Sequence, residues 1–184
     1  MRAERSVSRI SVEDYLRGEE DSQIRHEYLD GQVYAMVGAS DRHGLITLNL
    51  GSILSNRLPD RCQVFISDMK VRIATARQES FYYPDALVSC DPTDRESYYR
   101  QRPCLIAEVL SRATERTDRF EKFFSYRELD SLREYLLIAQ DFPQVEIHRR
   151  AHGWVAEVYT EGELLLESLA LTLSLAELYR RVEL

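Results

Sequence analysis

The stretch FYYPDALV, at residues 81–88, together with CLIAEVL at residues 104–110, specifies the centre of the fold. Both are short apolar runs of the kind that form buried β-strands, and each carries one carboxylate near its middle, Asp85 and Glu108. A buried, ionised carboxylate needs a positive partner, a metal ion or a raised pKa, because burying it alone costs several kcal/mol. Two such acids on successive strands predict a divalent-metal site. The alternative is that they cap strand ends or pair with arginines.

Strand periodicity places the two acids on comparable faces. Successive side chains of a strand alternate, so Tyr83 and Asp85 share one face, and Ile106 and Glu108 share one face of the other strand. If the two strands are neighbours, both carboxylates can project to the same side of the sheet. We then expect the two carboxyl groups within about 6 Å of each other, close enough to share one ion.

The composition is that of a globular protein. The chain has 184 residues, of which 44% are hydrophobic and 30% charged, so we predict a single domain over residues 1–184. Residues 1–12 contain no apolar stretch, and no apolar run approaches the roughly 20 residues of a membrane helix. We therefore expect a cytoplasmic protein without a membrane partner.

The formal charge of −7 argues against broad, nonspecific nucleic-acid binding without excluding it.

The cysteines give no sign of a metal or disulfide motif. Cys62, Cys90 and Cys104 are an odd number, form no Cys-x-x-Cys pair, and each lies in or beside a predicted strand. Cytosolic proteins keep such thiols reduced, so the sequence predicts three buried, reduced cysteines.

The remaining chain alternates between helix and strand signals. Asp30-Gly31 between two aromatic and apolar runs is a strong hairpin signal, and apolar residues at helical spacing predict two substantial helices. In chain order we predict a short helix after Ser11, a hairpin over 25–36, a helix over 42–58, strands over 63–73, 81–90 and 104–110, a helix over 117–129 opened by Asp118, a strand over 134–139, a hairpin over 145–160, a strand over 164–173 and a helix over 174–181.

The core order of helix, three strands, helix and strand resembles the restriction-endonuclease-like nucleases, the PD-(D/E)XK superfamily. That superfamily carries Pro-Asp at the second core strand, as in Pro84-Asp85, and an acid-x-lysine at the third, where this chain has Glu108-Val109-Leu110. The lysine is therefore missing from its usual position. With RHEYLDG at 25–31 and EKF at 121–123, the chain resembles a family of small bacterial endonucleases, abundant in cyanobacteria and formerly catalogued as a domain of unknown function.

The resemblance implies a fold, an activity and a set of site residues. The fold is α/β in the α+β sense, a mixed sheet flanked by helices with an added N-terminal hairpin and added C-terminal strands. The activity is Mg²⁺-dependent endonuclease hydrolysis of nucleic acid, with DNA as the expected substrate, Mn²⁺ as an alternative ion and a homodimer as the expected assembly. Asp85, Glu108 and the Val109 carbonyl would hold the ion. Glu27 resembles the accessory acid that such nucleases place before the core.

Two further residues are candidates for catalytic or supporting roles. Lys122 falls in the first turn of its helix, where a cation opposes the helix dipole, so another group is expected to attract it. We predict that Lys122 replaces the missing strand lysine and lies within hydrogen-bond or single-water reach of Glu108. Lys70, which follows Asp68 in an Asp-x-Lys pattern, is the competing candidate. His43, in the first turn of its helix, is expected near the same pocket, where it could donate to a phosphate or orient water.

Other interpretations remain open from the sequence. Lys122 could be a solvated lysine paired with Asp118 four residues earlier, and His43 could be a partly exposed capping residue. The acidic net charge and the missing strand lysine also fit a catalytically silent nucleic-acid-binding or scaffolding protein with the same fold. A third interpretation is a metal-dependent hydrolase of a phosphodiester other than nucleic acid.

Overall fold

The helices and strands are described by a computed structural model covering residues 9–36, 38–76 and 78–184. The helical segments are α1 (Val12–Asp21), α2 (Asp41–Arg57), a π-helical segment (Thr117–Lys122) that runs into α3 (Phe123–Tyr126), α4 (Leu175–Leu178) and two single 3₁₀ turns (Arg150–His152 and Glu167–Leu169). The strands are β1 (His26–Leu29), β2 (Gln32–Ala35), β3 (Gln63–Ile66), β4 (Lys70–Ala74), β5 (Glu79–Tyr82), β6 (Ala86–Ser89), β7 (Tyr99–Arg100), β8 (Leu105–Leu110), β9 (Glu134–Ala139), β10 (Val145–Arg149), β11 (Ala156–Tyr159), β12 (Glu163–Leu166) and β13 (Leu171–Ser174). Throughout the described ranges, no helix has the length and apolar character needed to cross a bilayer.

A six-stranded mixed sheet lies at the centre of the fold, in the order β11-β10-β9-β8-β6-β3. Strands β8 and β9 are parallel, whereas the other pairs of this sheet are antiparallel. A second sheet has the order β2-β1-β5-β4-β7, and β12 pairs with β13.

Strand β8 separates two layers of core because its side chains alternate between the faces of the sheet. Ala107 and Val109 pack in the cluster that contains residues of α2 and α4, whereas Ile106 and Leu110 pack in the cluster that contains residues of α3. Glu108 shares the alternation of Ile106 and Leu110, so its carboxylate is on the α3 side. Helices thus cover both faces of the mixed sheet, and the predicted fold class is confirmed.

Two predicted strands are each divided between the two sheets. The prediction of one strand over residues 63–73 is wrong, since β3 joins the six-stranded sheet and β4 the other. Between them Ser67 has a positive φ of 59°, which interrupts an extended strand. One strand over 81–90 is wrong as well, because the chain leaves β5 and enters β6 around Pro84, which has no N–H for a ladder. Asp85 therefore lies at a junction between sheets, where the Ser67 N–H donates to its carbonyl at 3.1 Å.

The N-terminal hairpin and the first long helix are confirmed. Strands β1 and β2 pair around a turn in which Asp30 and Gly31 have positive φ angles of 45° and 93°. The Ser40 hydroxyl caps α2 by accepting the N–H of His43 at 3.2 Å. Glu27 therefore lies on β1 and His43 in the first turn of α2, as the sequence predicts.

Three predictions about the ends of elements are wrong. The expected strand over residues 164–173 is the hairpin of β12 and β13, turned by Ala170 with a φ of 48°. Helix α4 ends at Leu178, and Ser174 makes no side-chain cap to it within the described part of the chain. Asp118 does not cap its helix, because the residues before it are already helical; its carboxylate is instead buried beside Lys122.

The prediction of three reduced thiols is also wrong. Strands β3 and β6 pair with Gln63 opposite Ser89, so the next residues outward, Cys62 and Cys90, face each other and form a disulfide. Cys104 stays a thiol, with its Sγ atom 4.0 Å from that of Cys90. Burial raises the pKa of the Cys104 thiol to about 11.

Candidate active site

A cavity of about 770 Å³ opens between the N-terminal hairpin, the first turns of α2, the junction between the sheets and the π-helical segment. Its lining includes Glu27 of β1, His43 of α2, Asp85 of the junction, Glu108 of β8, and Asp118 and Lys122 of the π-helical segment. The side chains predicted for the site therefore face one cavity, although they are far apart in the sequence. Their catalytic and metal-binding roles stay predictions.

Lys122 lies at the centre of a group of three carboxylates. Its Nζ atom is 3.1 Å from Glu27 Oε1, 3.3 Å from Glu108 Oε1 and 3.2 Å from Asp118 Oδ1. Lys122 is only 6% exposed, so the interpretation as a solvated lysine is wrong. The predicted approach of Lys122 to Glu108 is confirmed.

The buried charges in this group act on each other's protonation. Burial alone would lower the pKa of Lys122, but the charges of Glu108, Glu27 and Asp118 raise it well above its ordinary value. Burial raises the pKa of the Glu108 carboxyl, with the Lys122 charge opposing the shift and the neighbouring carboxylates adding to it. Lys122 is therefore held as an ammonium ion inside the cavity wall.

Asp85 and Glu108 are connected through the backbone at the junction. The Val109 N–H donates to Asp85 Oδ2 at 2.6 Å, and the Asp85 N–H donates to Glu108 Oε2 at 3.4 Å. The Tyr126 hydroxyl donates to Glu108 Oε1 at 3.1 Å. The two acids thus approach each other where β6 begins beside β8. Their expected carboxyl separation of about 6 Å stays a prediction.

His43 contacts the first of these acids. Its Nε2 atom lies 3.1 Å from Asp85 Oδ2. Burial opposes the charged imidazole, but the hydrogen bond to Asp85 and the charge of that carboxylate together raise the pKa of His43. The side chain is 15% exposed and lines the cavity, so it is not merely an exposed capping residue.

The competing lysine lies elsewhere. Lys70 is buried, and its Nζ atom donates to the Tyr83 hydroxyl at 3.1 Å. It lines a different cavity of about 380 Å³, together with Glu19 and Arg25. Lys122, and not Lys70, is therefore the lysine that contacts the predicted acids.

Sequence reasoning missed Asp118 and Tyr126 as members of the site. Asp118 is 2% exposed, and Tyr126 is fully buried. The available signal was the spacing of four residues between Asp118 and Lys122, which is as typical of a surface ion pair as of a buried one. Burial by the packed sheet distinguishes the two.

The donor chemistry of the site fits an oxygen-preferring divalent ion. Among the described residues, no group of three or more His, Cys, Asp and Glu side chains is arranged to hold a metal. Asp85 and Glu108 nevertheless supply two converging carboxylates, and Mg²⁺ commonly takes one or two carboxylates and retains several waters. Zinc favours Cys and His ligands, of which the cavity offers only His43 among its described residues.

Comparison with known proteins gives the same fold. The crystal structure of a putative nuclease belonging to DUF820, from Anabaena variabilis ATCC 29413, superposes with a TM-score of 0.73 at 20% sequence identity. The match covers 92% of this chain and 97% of that one. At this identity the likeness shows the fold alone.

Sequence comparison identifies relatives and a family. The uncharacterized protein slr1290 of Synechocystis sp. (strain ATCC 27184 / PCC 6803 / Kazusa) is 36% identical over 177 residues, covering 94% of this chain and 92% of the relative. The uncharacterized protein sll1609 of the same organism is 36% identical over 145 residues, covering 77% of this chain and 81% of the relative. The family model Uma2, described as "Putative restriction endonuclease", matches residues 12–179. Because that model spans most of the sequence, the chain belongs to the Uma2 family.

Proposed function

We propose that this protein is a divalent-metal-dependent endonuclease that hydrolyses phosphodiester bonds of nucleic acid, with DNA as its substrate. The observation that carries the proposal is the convergence of Asp85, Glu108 and Lys122 in one cavity. The two acids would bind a metal ion, and the lysine would stabilise charge on a phosphate. The description of the Uma2 family and the fold shared with the DUF820 protein of Anabaena variabilis support it.

The residues that would hold Mg²⁺ or Mn²⁺ are Asp85, Glu108 and the Val109 carbonyl, with Glu27 in support. The Val109 N–H donates to Asp85, and the N–H and C=O of a residue in an antiparallel pair are directed to the same neighbour. This supports a carbonyl directed to the Asp85 side of β8. When bound, the ion supplies Lewis-acid chemistry for the attack of water on a phosphodiester.

Lys122 would act on the substrate. Its contacts with Glu27, Glu108 and Asp118 keep the ammonium protonated and fixed in position, and its positive charge would stabilise negative charge that develops on a phosphate oxygen in the cavity. His43 beside Asp85 could donate to the same phosphate or orient water.

The alternative is a catalytically silent nucleic-acid-binding or scaffolding protein. One observation favours it: within residues 9–36, 38–76 and 78–184, no set of three metal-ligand side chains is preassembled. Calorimetric titration with Mg²⁺ and Mn²⁺ distinguishes the two functions. The endonuclease binds the ions, and the silent protein does not.

Asp85→Asn tests the proposed function. The substitution removes charge and little volume, so metal-dependent cleavage of DNA should be abolished while the melting temperature stays close to that of the wild type. His43→Ala should reduce cleavage less, because His43 supports and does not hold the ion. Cleavage of single- and double-stranded DNA and RNA with Mg²⁺ or Mn²⁺ measures both effects. Equal losses from the two variants would show that the roles are ranked wrongly.

The assembly is also part of the proposal. Strand β11 forms one edge of the six-stranded sheet, and Val155 and Val158 beside and within it are 67% and 55% exposed. An exposed edge strand with apolar side chains can pair with another copy. We propose a homodimer, which light scattering on the purified protein would detect.

A further inference from the structure

One wall of the cavity is formed by a face of α2 that has no acidic side chain and has a glycine, Gly44, near its middle. Ser40, His43, Gly44 and Thr47 line the cavity, and their spacing places them on one side of the helix. None of the four carries a carboxylate, whereas the rest of the lining includes Asp85, Asp118, Glu108 and Glu27. A negatively charged ligand would therefore meet less repulsion along α2 than along the other walls.

Gly44 is not required by the packing of the helix. Apart from its chain neighbours and the nearby backbone of its own helix, a Cβ atom built on Gly44 meets no described atom within 4 Å. Glycine inside a helix is less stable than alanine, because it loses more backbone freedom on folding. The absence of a side chain at this position thus leaves the cavity wall open at a cost in helix stability.

Thr47 supplies an unpartnered polar group in the same wall. Its side chain is 3% exposed, and its Oγ1 atom has no hydrogen-bond partner within the part of the chain that the structure describes. A buried hydroxyl without a partner is unfavourable, and such groups are rare in folded proteins. Since Thr47 lines the cavity, a ligand that enters the cavity can supply the missing partner.

This wall of α2 lies next to the predicted acids. His43, which precedes Gly44, is 3.1 Å from Asp85, and Lys122 with its carboxylates forms another part of the lining. The volume of about 770 Å³ is within the range of clefts that hold small-molecule-sized ligands, so there is room beside an ion for part of a nucleotide strand.

We propose that the α2 wall formed by Gly44 and Thr47 is a subsite for the sugar–phosphate backbone of the substrate strand next to the scissile bond. The strand lies against Gly44, and the Thr47 hydroxyl donates to a phosphate oxygen. The inference rests on the proposed endonuclease function and adds the surface along which the strand is bound.

Filling the wall at Gly44 is the first test. Gly44→Leu should raise the KM for cleavage of a fluorescein-labelled DNA oligonucleotide by about 10-fold or more, which corresponds to the loss of one favourable contact. Mg²⁺ affinity measured by calorimetry should stay unchanged. Gly44→Ala should raise the melting temperature by about 1–4 °C while weakening substrate binding.

Gly18 in α1 offers a matched control. A Cβ atom there also meets nothing within 4 Å in the described structure, and Gly18 is not part of the cavity lining. Gly18→Leu and Gly18→Ala should therefore leave KM unchanged, and Gly18→Ala should raise the melting temperature as Gly44→Ala does.

Replacement of Thr47 tests the hydrogen bond independently. Thr47→Val keeps the shape and removes the unpartnered hydroxyl, so the melting temperature should not fall, while KM should rise by about 10-fold. Thr47→Ser keeps the hydroxyl and should retain most of the substrate affinity. If Gly44→Leu does not fold, the comparison of Thr47→Val with Thr47→Ser still tests the subsite.

The outcomes separate this inference from the proposed function. If the wild type cleaves the oligonucleotide and both Gly44→Leu and Thr47→Val keep its KM, the subsite is wrong and the endonuclease stands. A parallel loss of Mg²⁺ affinity in Gly44→Leu and Thr47→Val would also overturn the subsite. A wild-type protein that neither binds nor cleaves DNA overturns the proposed function and the subsite together.

Discussion

Two lysines are equally buried in this molecule but have opposite surroundings. Lys122 and Lys70 are each 6% exposed. Lys122 contacts the carboxylates of Glu27, Glu108 and Asp118, whereas the Nζ atom of Lys70 donates to the Tyr83 hydroxyl and lies 5.1 Å from the centre of its ring. Although the two lysines are equally buried, Lys122 contacts carboxylates directly, whereas Lys70 contacts a phenol that itself donates to Glu19.

The surroundings change the protonation of the two side chains in opposite directions. Three carboxylates outweigh burial and raise the pKa of Lys122. Burial dominates at Lys70 and lowers its pKa, with Glu19 and Glu20 opposing the shift and Arg25 adding to it. A buried lysine is therefore a candidate cation for catalysis only when fixed negative charges hold its proton.

Stability should show the largest difference between the two lysines. Lys122→Met leaves buried carboxylates without their cation and should lower the free energy of unfolding by about 3–5 kcal/mol. Lys70→Met replaces an ammonium that donates to the Tyr83 hydroxyl by an apolar chain of similar length, so it should change stability by less than about 1 kcal/mol. Urea denaturation at neutral pH measures both. Equal losses would contradict the distinction between the two lysines.

The second-largest expected difference between Lys122→Met and Lys70→Met is in kcat. Lys122→Met should lower kcat by about 10²–10³-fold, the range observed when one group that stabilises transition-state charge is removed. Metal binding should persist, because Asp85 and Glu108 remain. Lys70→Met should keep kcat within a few-fold of the wild type, since Lys70 lines another cavity. DNA cleavage under saturating Mg²⁺ tests this, and a larger loss from Lys70→Met would transfer the catalytic assignment to Lys70.

The smallest expected effect is on the pH dependence of stability. It tests whether burial or neighbouring carboxylates dominate at Lys70. Its pKa is lowered in the folded protein from the ordinary value of 10.5. Between the lowered pKa and 10.5, the unfolded chain binds more protons, so the wild type should gain stability relative to Lys70→Met as the pH rises. Urea midpoints of both proteins over this range measure the change. A difference that is flat or falls with pH would mean that Lys70 is stabilised as a cation by its neighbours.

Tyr83 connects the two regions. Its hydroxyl accepts from Lys70 and donates to Glu19 at 2.7 Å, while its backbone nitrogen lies 3.5 Å from Glu27 Oε1. Because Pro84 and Asp85 follow immediately, the Lys70 region anchors the segment that carries one of the predicted metal ligands. Lys70 is thus linked to the site through Tyr83, whereas Lys122 contacts the acids directly.

The local elements and the pair of acids follow from the sequence alone. The Asp-Gly turn at Asp30-Gly31 specifies a hairpin through backbone conformation, and helical spacing with the Ser40 cap specifies α2. The acid within the apolar run of β8 signals a buried charge wherever that strand packs. Such signals act within a few residues of the chain, so they can be recognised without knowledge of the packing.

The groups that surround each charge are set by tertiary packing instead. The chain crosses between two sheets around Pro84, which moves Asp85 from a strand to a junction, and the packed sheet buries Asp118 beside Lys122. Local pattern favours Lys122 over Lys70, but it does not establish which carboxylates surround either lysine, because burial and Coulomb interactions depend on elements that are distant in sequence. The three carboxylates around Lys122 come from β1, β8 and the π-helical segment, and only their packing brings them within 3.3 Å of one ammonium.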